Sequence, residues 1–123
     1  MYELTTGDMR TIAGATAGWR MYVNPILDSM ESVPQEVTDR IQALEDAYRK
    51  DYLGFYRDEM DKDESRLEGE IQNDFEEGWT KEHPEFYDMD QLFRGCSDQD
   101  LAAAEEQLTA AKDALHPGTL DAE

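Results

Sequence analysis

The chain has 123 residues, a usual length for one domain, and its 11 basic against 30 acidic residues give a formal net charge of −19 at pH 7. With 39% apolar residues, among them six Tyr, four Phe and two Trp, it can bury a modest core, which argues against disorder along its whole length. So large an acidic excess argues against direct binding to DNA, RNA or an anionic membrane, where like charge would meet like, and makes basic proteins the natural partners.

A single cysteine, Cys96, leaves no intramolecular disulfide and no multi-cysteine metal cluster, which fits a reducing compartment. The start Met1-Tyr2-Glu3-Leu4 has neither the basic residues nor the apolar run of a signal peptide, and no stretch approaches the ~20 apolar residues of a membrane span. The expectation is a soluble cytoplasmic protein with a single acidic helical domain over residues 1–118 and a frayed tail over 119–123.

Met9, Ile12, Thr16, Trp19 and Val23 recur at steps of three and four, which predicts a first helix near 6–23, with Thr6 as its cap and Pro25 as its stop. Gly14 and Gly18, among Ala13, Ala15 and Ala17, give that helix a smooth side on which another backbone could pack closely. Ser32-Val33-Pro34-Gln35 reads as a helix start, with Ser32 as cap and Gln35 at the capping-box position. From there Val37, Ile41, Leu44, Tyr48, Tyr52 and Phe55 hold one stripe, while Met60, Leu67, Ile71, Phe75 and Trp79 hold a second on a rotated face. The reading is a long central segment over 34–79, bent or interrupted near Asp61–Ser65, with Gly54 and Gly69 as further weak points.

His83-Pro84 ends that segment, and a short helical turn around 85–94 places Phe86, Met89 and Phe93 on one side before Gly95. Ser97 then caps a last helix whose Leu101, Ala104, Leu108, Ala111 and Leu115 stand at heptad spacing, with Lys112 and His116 near its end and Pro117-Gly118 as its stop. Alternating Leu and Ala there leave room for the Gly14/Gly18 side of the first helix, so contact between the two is expected. No strand-like alternation occurs, and the fold class expected is all-α, a small bundle of three to five helices.

The charge is concentrated in the middle: 19 of the 30 acids and eight of the 11 bases fall between 34 and 94. Within 58–77 there are ten acids against Lys62 and Arg66. As one helix about 30 Å long, this stretch would carry roughly one net charge per 4 Å, against one per ~3.4 Å of axis for a single DNA strand. At 100° per residue, Glu59, Asp63, Glu70, Asp74 and Glu77 share a narrow sector beside the apolar stripe, and Asp58, Glu64 and Glu68 belong to the same dense stretch outside that sector. These eight carboxylates are the candidate partner-binding residues.

Catalytic and metal motifs fail on inspection. Asp61-Lys62-Asp63-Glu64-Ser65 begins like a calcium loop but has Arg66 where glycine is needed and Gln72 where a bidentate glutamate is needed; Asp88-Met89-Asp90 fails at Leu92. His83 and His116 both precede proline and read as helix ends, and neither sits three residues after a glutamate as a di-iron bundle requires. Cys96 lies ahead of acids, which raise a thiol pKa. In the aromatic and basic stretch Tyr48–Arg57, Tyr52 and Phe55 read as core, and Arg49, Lys50 and Arg57 as partners of nearby carboxylates. No enzyme activity, cofactor or metal is expected.

In size, charge and helicity the chain is similar to phage-encoded DNA-mimic inhibitors, among them anti-CRISPR and anti-restriction proteins, a likeness of composition in which no motif aligns. It implies a non-enzymatic inhibitor or adaptor whose acidic face occupies the basic groove of a nucleic-acid-handling protein. The Trp-x-Gly marker of small acidic helical proteins exported as hairpin pairs is absent, since Arg20-Met21 follow Trp19 and Thr80-Lys81 follow Trp79. The alternative is a self-associating structural or assembly component whose acidity serves solubility or adaptation to high salt. A straight helix over 34–79 would be about 69 Å long against about 27 Å for the first helix, so a second copy is expected to cover aromatics such as Tyr48, Tyr52, Phe55, Tyr56, Phe75 and Trp79.

Overall fold

The computed structural model describes residues 1–115, the side chain of Leu115 excepted. Among these residues there are seven α-helices and no strand: α1 (Thr6–Ala13), α2 (Ala17–Asp28), α3 (Gln35–Lys62), α4 (Glu68–Glu82), α5 (Met89–Leu92), α6 (Asp98–Ala103) and α7 (Glu105–Leu115), with a 3-10 turn at Pro84–Phe86. The side chain of Leu115, the stop at His116 to Gly118 and the tail over 119–123 lie outside the described residues.

The expected first helix is a bent rod made of α1 and α2. Its cap is Thr5, one residue before the expected Thr6: the Thr5 hydroxyl accepts from the Asp8 amide while the Asp8 carboxylate accepts from the Thr5 amide. The rod bends through Gly14–Thr16, where the Thr16 hydroxyl donates to the buried Glu45 carboxylate of α3 at 2.8 Å. Pro25 does not stop it, and α2 runs on to Asp28. The Met21 carbonyl that loses its donor to Pro25 belongs to an exposed turn. Behind it, Ile26 is completely buried, a gain of about 1.5–3 kcal/mol that offsets much of the proline's cost.

α3 begins at Gln35 with Pro34 as its cap residue and no side-chain cap, so the capping box expected from Ser32 and Gln35 does not form. Its buried stripe is Val37, Ile41, Leu44, Tyr48, Tyr52, Tyr56 and Met60. Tyr56 takes the place expected for Phe55, which is half-buried, because steps of four keep the seam on the face that α1 and α4 cover. The chain then reverses through Asp63–Leu67, and α4 lies antiparallel on α3 with Ile71, Phe75 and Trp79 turned inward. Leu67, expected in that stripe, is 71% exposed because it precedes the helix in an extended conformation.

Tyr48 is the centre of the core. Its ring meets Phe75 and Trp79 edge-on at 5.1 and 5.0 Å and stacks on Phe86 at 5.4 Å, which is itself stacked on Trp19 at 4.3 Å. Such pairs add about 0.5–1.5 kcal/mol each to the area they bury. The segment after His83 closes one end of the bundle: Phe86, Met89, Leu92 and Phe93 are buried, and Arg40 of α3 donates to the carbonyls of Gln91, Leu92 and Arg94. Ser97 caps α6 as expected, and a turn at Ala104 interrupts the last rod. α7 packs on α2, so the expected contact between first and last helices exists; the buried residues of α2 are Trp19, Val23 and Ile26, while Gly14 and Gly18 are exposed. A Cβ built at Gly18 would meet no packed neighbour within 4 Å.

Two glycines test this account in opposite directions. A Cβ at Gly54 meets nothing within 4 Å on a helical residue, so Gly54→Ala is expected to raise the urea-unfolding free energy by about 0.5–1 kcal/mol. Gly95 has φ +107° and a Cβ there would collide with the Glu36 carboxylate, so Gly95→Ala is expected to lower it by about 1–3 kcal/mol in the same measurement.

Candidate interaction face

The carboxylates sort into those held inside the fold and those left on its surface. Asp8 is buried and accepts from the Tyr2 hydroxyl at 2.7 Å, the Thr5 amide at 3.0 Å and the Tyr56 hydroxyl at 2.8 Å. Burial alone would raise its pKa, yet the three donors together hold the carboxyl below its ordinary value. Glu45 is buried between Arg20 and Arg49, and Glu76 accepts from both Tyr48 and Tyr87 at 2.8 and 2.6 Å. Asp100 accepts from the Glu31 amide and so ties α6 to the loop before α3.

The tyrosines answer in kind. Burial, with Glu76 nearby, pushes the Tyr48 phenol well above its ordinary range, and burial together with Asp8 does the same to Tyr56. The Tyr2 phenol, which donates to Asp8, is pushed up to about 12. Tyr52 is pushed up to about 12 by burial, and its hydroxyl has no hydrogen-bond partner among the described residues.

The expected row of acids on one helix face does not exist in that form. The reversal at Asp63–Leu67 leaves Asp58 and Glu59 on α3, Asp63 and Glu64 in the turn, Glu68 at the start of α4, and Glu70, Asp74 and Glu77 along it. Arg66 gathers three of them, binding Glu59, Glu70 at 2.7 Å and Asp74 at 2.7 Å. With these partners the guanidinium pKa is driven above its already high value. Asp63 accepts from the Ser65 hydroxyl and amide, which lowers its carboxyl pKa and shows why the calcium-like start closes as a tight turn. Glu68 accepts weakly from Thr11 at 3.3 Å. Asp58, Glu64 and Glu77 are exposed, and their carboxylates make no hydrogen bond or ion pair among the described residues.

The hairpin end therefore presents a clasp of one Arg and three carboxylates, with the Asp58 and Glu64 carboxylates unpaired among the described residues and Asp61 paired with the N-terminal amine at 3.6 Å. The fold-holding carboxylates, Asp8, Glu45, Glu76 and Asp100, escaped the sequence reading, although Asp8 three residues after Thr5 is a capping-box signature. The stretch 48–57 is structural: Tyr48, Tyr52 and Tyr56 are core, Arg49 pairs with Glu45 and Asp46, and Arg57 reaches the Met1 sulfur. Lys50 is exposed. The Cys96 thiol is pushed up by burial first and Asp100 second, and donates to the Met30 sulfur. His83 ends α4 and stacks on Trp79 at 4.2 Å. Among the described residues no group of three or more His, Cys, Asp or Glu could hold a metal, and no helix is long and apolar enough to cross a membrane. No family model matches the chain, and neither a curated protein nor a solved structure is significantly similar to it.

A carboxyl with a lowered folded pKa contributes stability above its unfolded value, near 3.8 for Asp8, and that contribution is lost as the pH falls through the folded value. Asp8→Asn is therefore expected to lower the thermal midpoint at pH 7, with the difference from the parent protein shrinking as melts are taken below about pH 4. Tyr52→Phe, which removes a hydroxyl without a partner, is expected to leave the midpoint unchanged or raise it.

Proposed function

We propose that this chain is a non-enzymatic protein-binding domain whose acidic α3–α4 hairpin end occupies the basic groove of a nucleic-acid-handling protein, in the manner of a DNA-mimic inhibitor. The observation that supports this reading is the sorting of the carboxylates. Acids that serve the fold are paired or capped, whereas Asp58, Glu64 and Glu77 stand exposed without partners among the described residues, and Asp63, Glu68 and Glu70 are exposed beside them. Only Lys62 and Arg66 offset them in that stretch, and Arg66 is fully engaged by its three carboxylates. A surface of this kind attracts a cationic groove over roughly a Debye length, about 8–10 Å at ordinary salt, and gives fast, salt-sensitive association.

The alternative, an assembly component that self-associates through uncovered aromatics, is supported less, since of the aromatics expected to need a cover only Phe55 stays half-buried. α4 and the segment after it bury Tyr48, Tyr52, Tyr56, Phe75 and Trp79 within one chain, so no second copy is needed to cover them.

The test is capture of partners from a cell extract at low and high salt, with the parent protein and with Asp58, Glu64 and Glu77 together changed to Lys. These three positions are chosen because reversing Glu59, Glu70 or Asp74 would also break the Arg66 clasp. The expected result is a basic partner retained at about 50 mM salt, released by about 500 mM, and lost at least tenfold by the triple variant with its helical circular dichroism unchanged. Partners that are neither basic nor salt-labile, or that bind the triple variant equally, would overturn the reading and leave the acidity as a solvation feature.

A further inference from the structure

On one side of the hairpin, α3 and α4 leave a groove of about 390 Å³ between them. Its apolar wall is aromatic: Phe55 from α3, half-buried, lies 5.5 Å from Phe75 of α4, and Trp79, stacked on Phe75 at 6.2 Å, also lines it. Its charged lining is acidic, with Asp51 on one helix and Asp74 and Glu82 on the other, and no basic residue lines it. Asp51 accepts from the Trp79 indole through one oxygen, and Asp74 accepts from Arg66 through one oxygen, so each keeps a second oxygen for another donor. Glu82 is exposed and has no partner among the described residues.

Gly78 also lines the groove. A Cβ built there meets nothing within 4 Å, so the packing of the protein does not require a glycine. In mid-helix it weakens α4 relative to alanine. What its missing side chain provides is space between the aromatic wall and the acids.

We infer that this groove is a seat for an arginine side chain presented by the basic partner, an anchor point along the hairpin beside its acidic end. The inference rests on the reading above that the partner is basic, and it adds which residue type makes the central contact. A guanidinium is planar and weakly hydrated, so it can stack on the Phe55 ring while its N–H fork reaches the free oxygens of Asp51, Asp74 or Glu82. A lysine ammonium is more strongly hydrated and offers no flat face, so it gives up more water for fewer contacts. Anionic groups are repelled by the rim.

The test is a nuclear magnetic resonance titration of the full chain with a blocked Gly-Arg-Gly-Arg-Gly peptide and with its lysine counterpart. The arginine peptide is expected to shift the Trp79 indole, Gly78, Phe55 and Glu82 signals and to bind at least threefold more tightly than the lysine peptide. Gly78→Leu fills the groove without changing net charge and is expected to weaken peptide and captured partner at least fivefold, with the circular dichroism and melting temperature retained. Gly78→Ala, which adds one methyl group, keeps most of the binding. Should the leucine variant fold poorly, Glu82→Gln on the exposed rim supplies the second arm and is expected to reduce the preference for arginine. Equal affinity for the two peptides, shifts scattered over all acidic positions, or unaltered binding by Gly78→Leu would overturn the arginine seat. If Gly78→Leu binds the captured partner normally while the Asp58/Glu64/Glu77 reversal does not, the seat fails and the acidic-face reading stands. If no basic partner is captured but the arginine peptide maps to the groove, the seat stands and that reading fails.

Discussion

The reversal of the chain between Lys62 and Glu68 places α4 on the aromatic stripe of α3, and Arg66 at its centre draws together carboxylates from both helices. Without that closure, the acids of 58–77 would repel along a single rod and the aromatics of α3 would face water. With it, one cation is shared by Glu59, Glu70 and Asp74, and Tyr48 lies against Phe75 and Trp79. The 3-10 turn then sets Phe86 between Tyr48 and Trp19, which joins the hairpin to α2. α7 in turn packs on α2.

A strongly acidic chain that folds must deal with carboxylates near its core, and this one uses tyrosine hydroxyls and backbone amides as much as cations. Asp8 and Glu76 each accept from two phenols, and Asp100 from the Glu31 amide. Arginine is kept for the most crowded places, at Glu45 and at the hairpin clasp. Using neutral donors inside leaves the overall charge unreduced, so the surface remains strongly negative. The same arrangement that satisfies the interior leaves carboxylates such as Asp58, Glu64 and Glu77 on the exterior.

Much of the fold can be read from local spacing. The α3 stripe, the short apolar segment after His83, the Ser97 cap and the absence of strands follow from helical periodicity and capping, which depend on neighbours a few residues away. The errors share one cause. Pro25 reads as a stop but is carried by the burial of Ile26; Gly14 and Gly18 read as a contact face but are left outward; Phe55 reads as core but yields to Tyr56, whose hydroxyl reaches Asp8. At Pro25 and at Phe55 contacts made by the folded chain outweighed the local signal, whereas the glycine side was a guess about tertiary packing that the spacing of the residues could not decide.

The candidate site divides in the same way. That residues 58–77 are densely acidic was determined by the sequence alone, because charge and residue type need no folding to be counted. Which acids are spent on the fold and which remain outward was decided only by the tertiary structure. Arg66 and Glu59 belong to different helices, and Asp51, Phe55 and Gly78 meet only once α4 has turned back on α3. A helical projection treats residues 59–77 as one cylinder, and the turn at Asp63–Leu67 breaks that cylinder because covering the aromatic stripe with the chain's own helix gains more than continuing the helix into water.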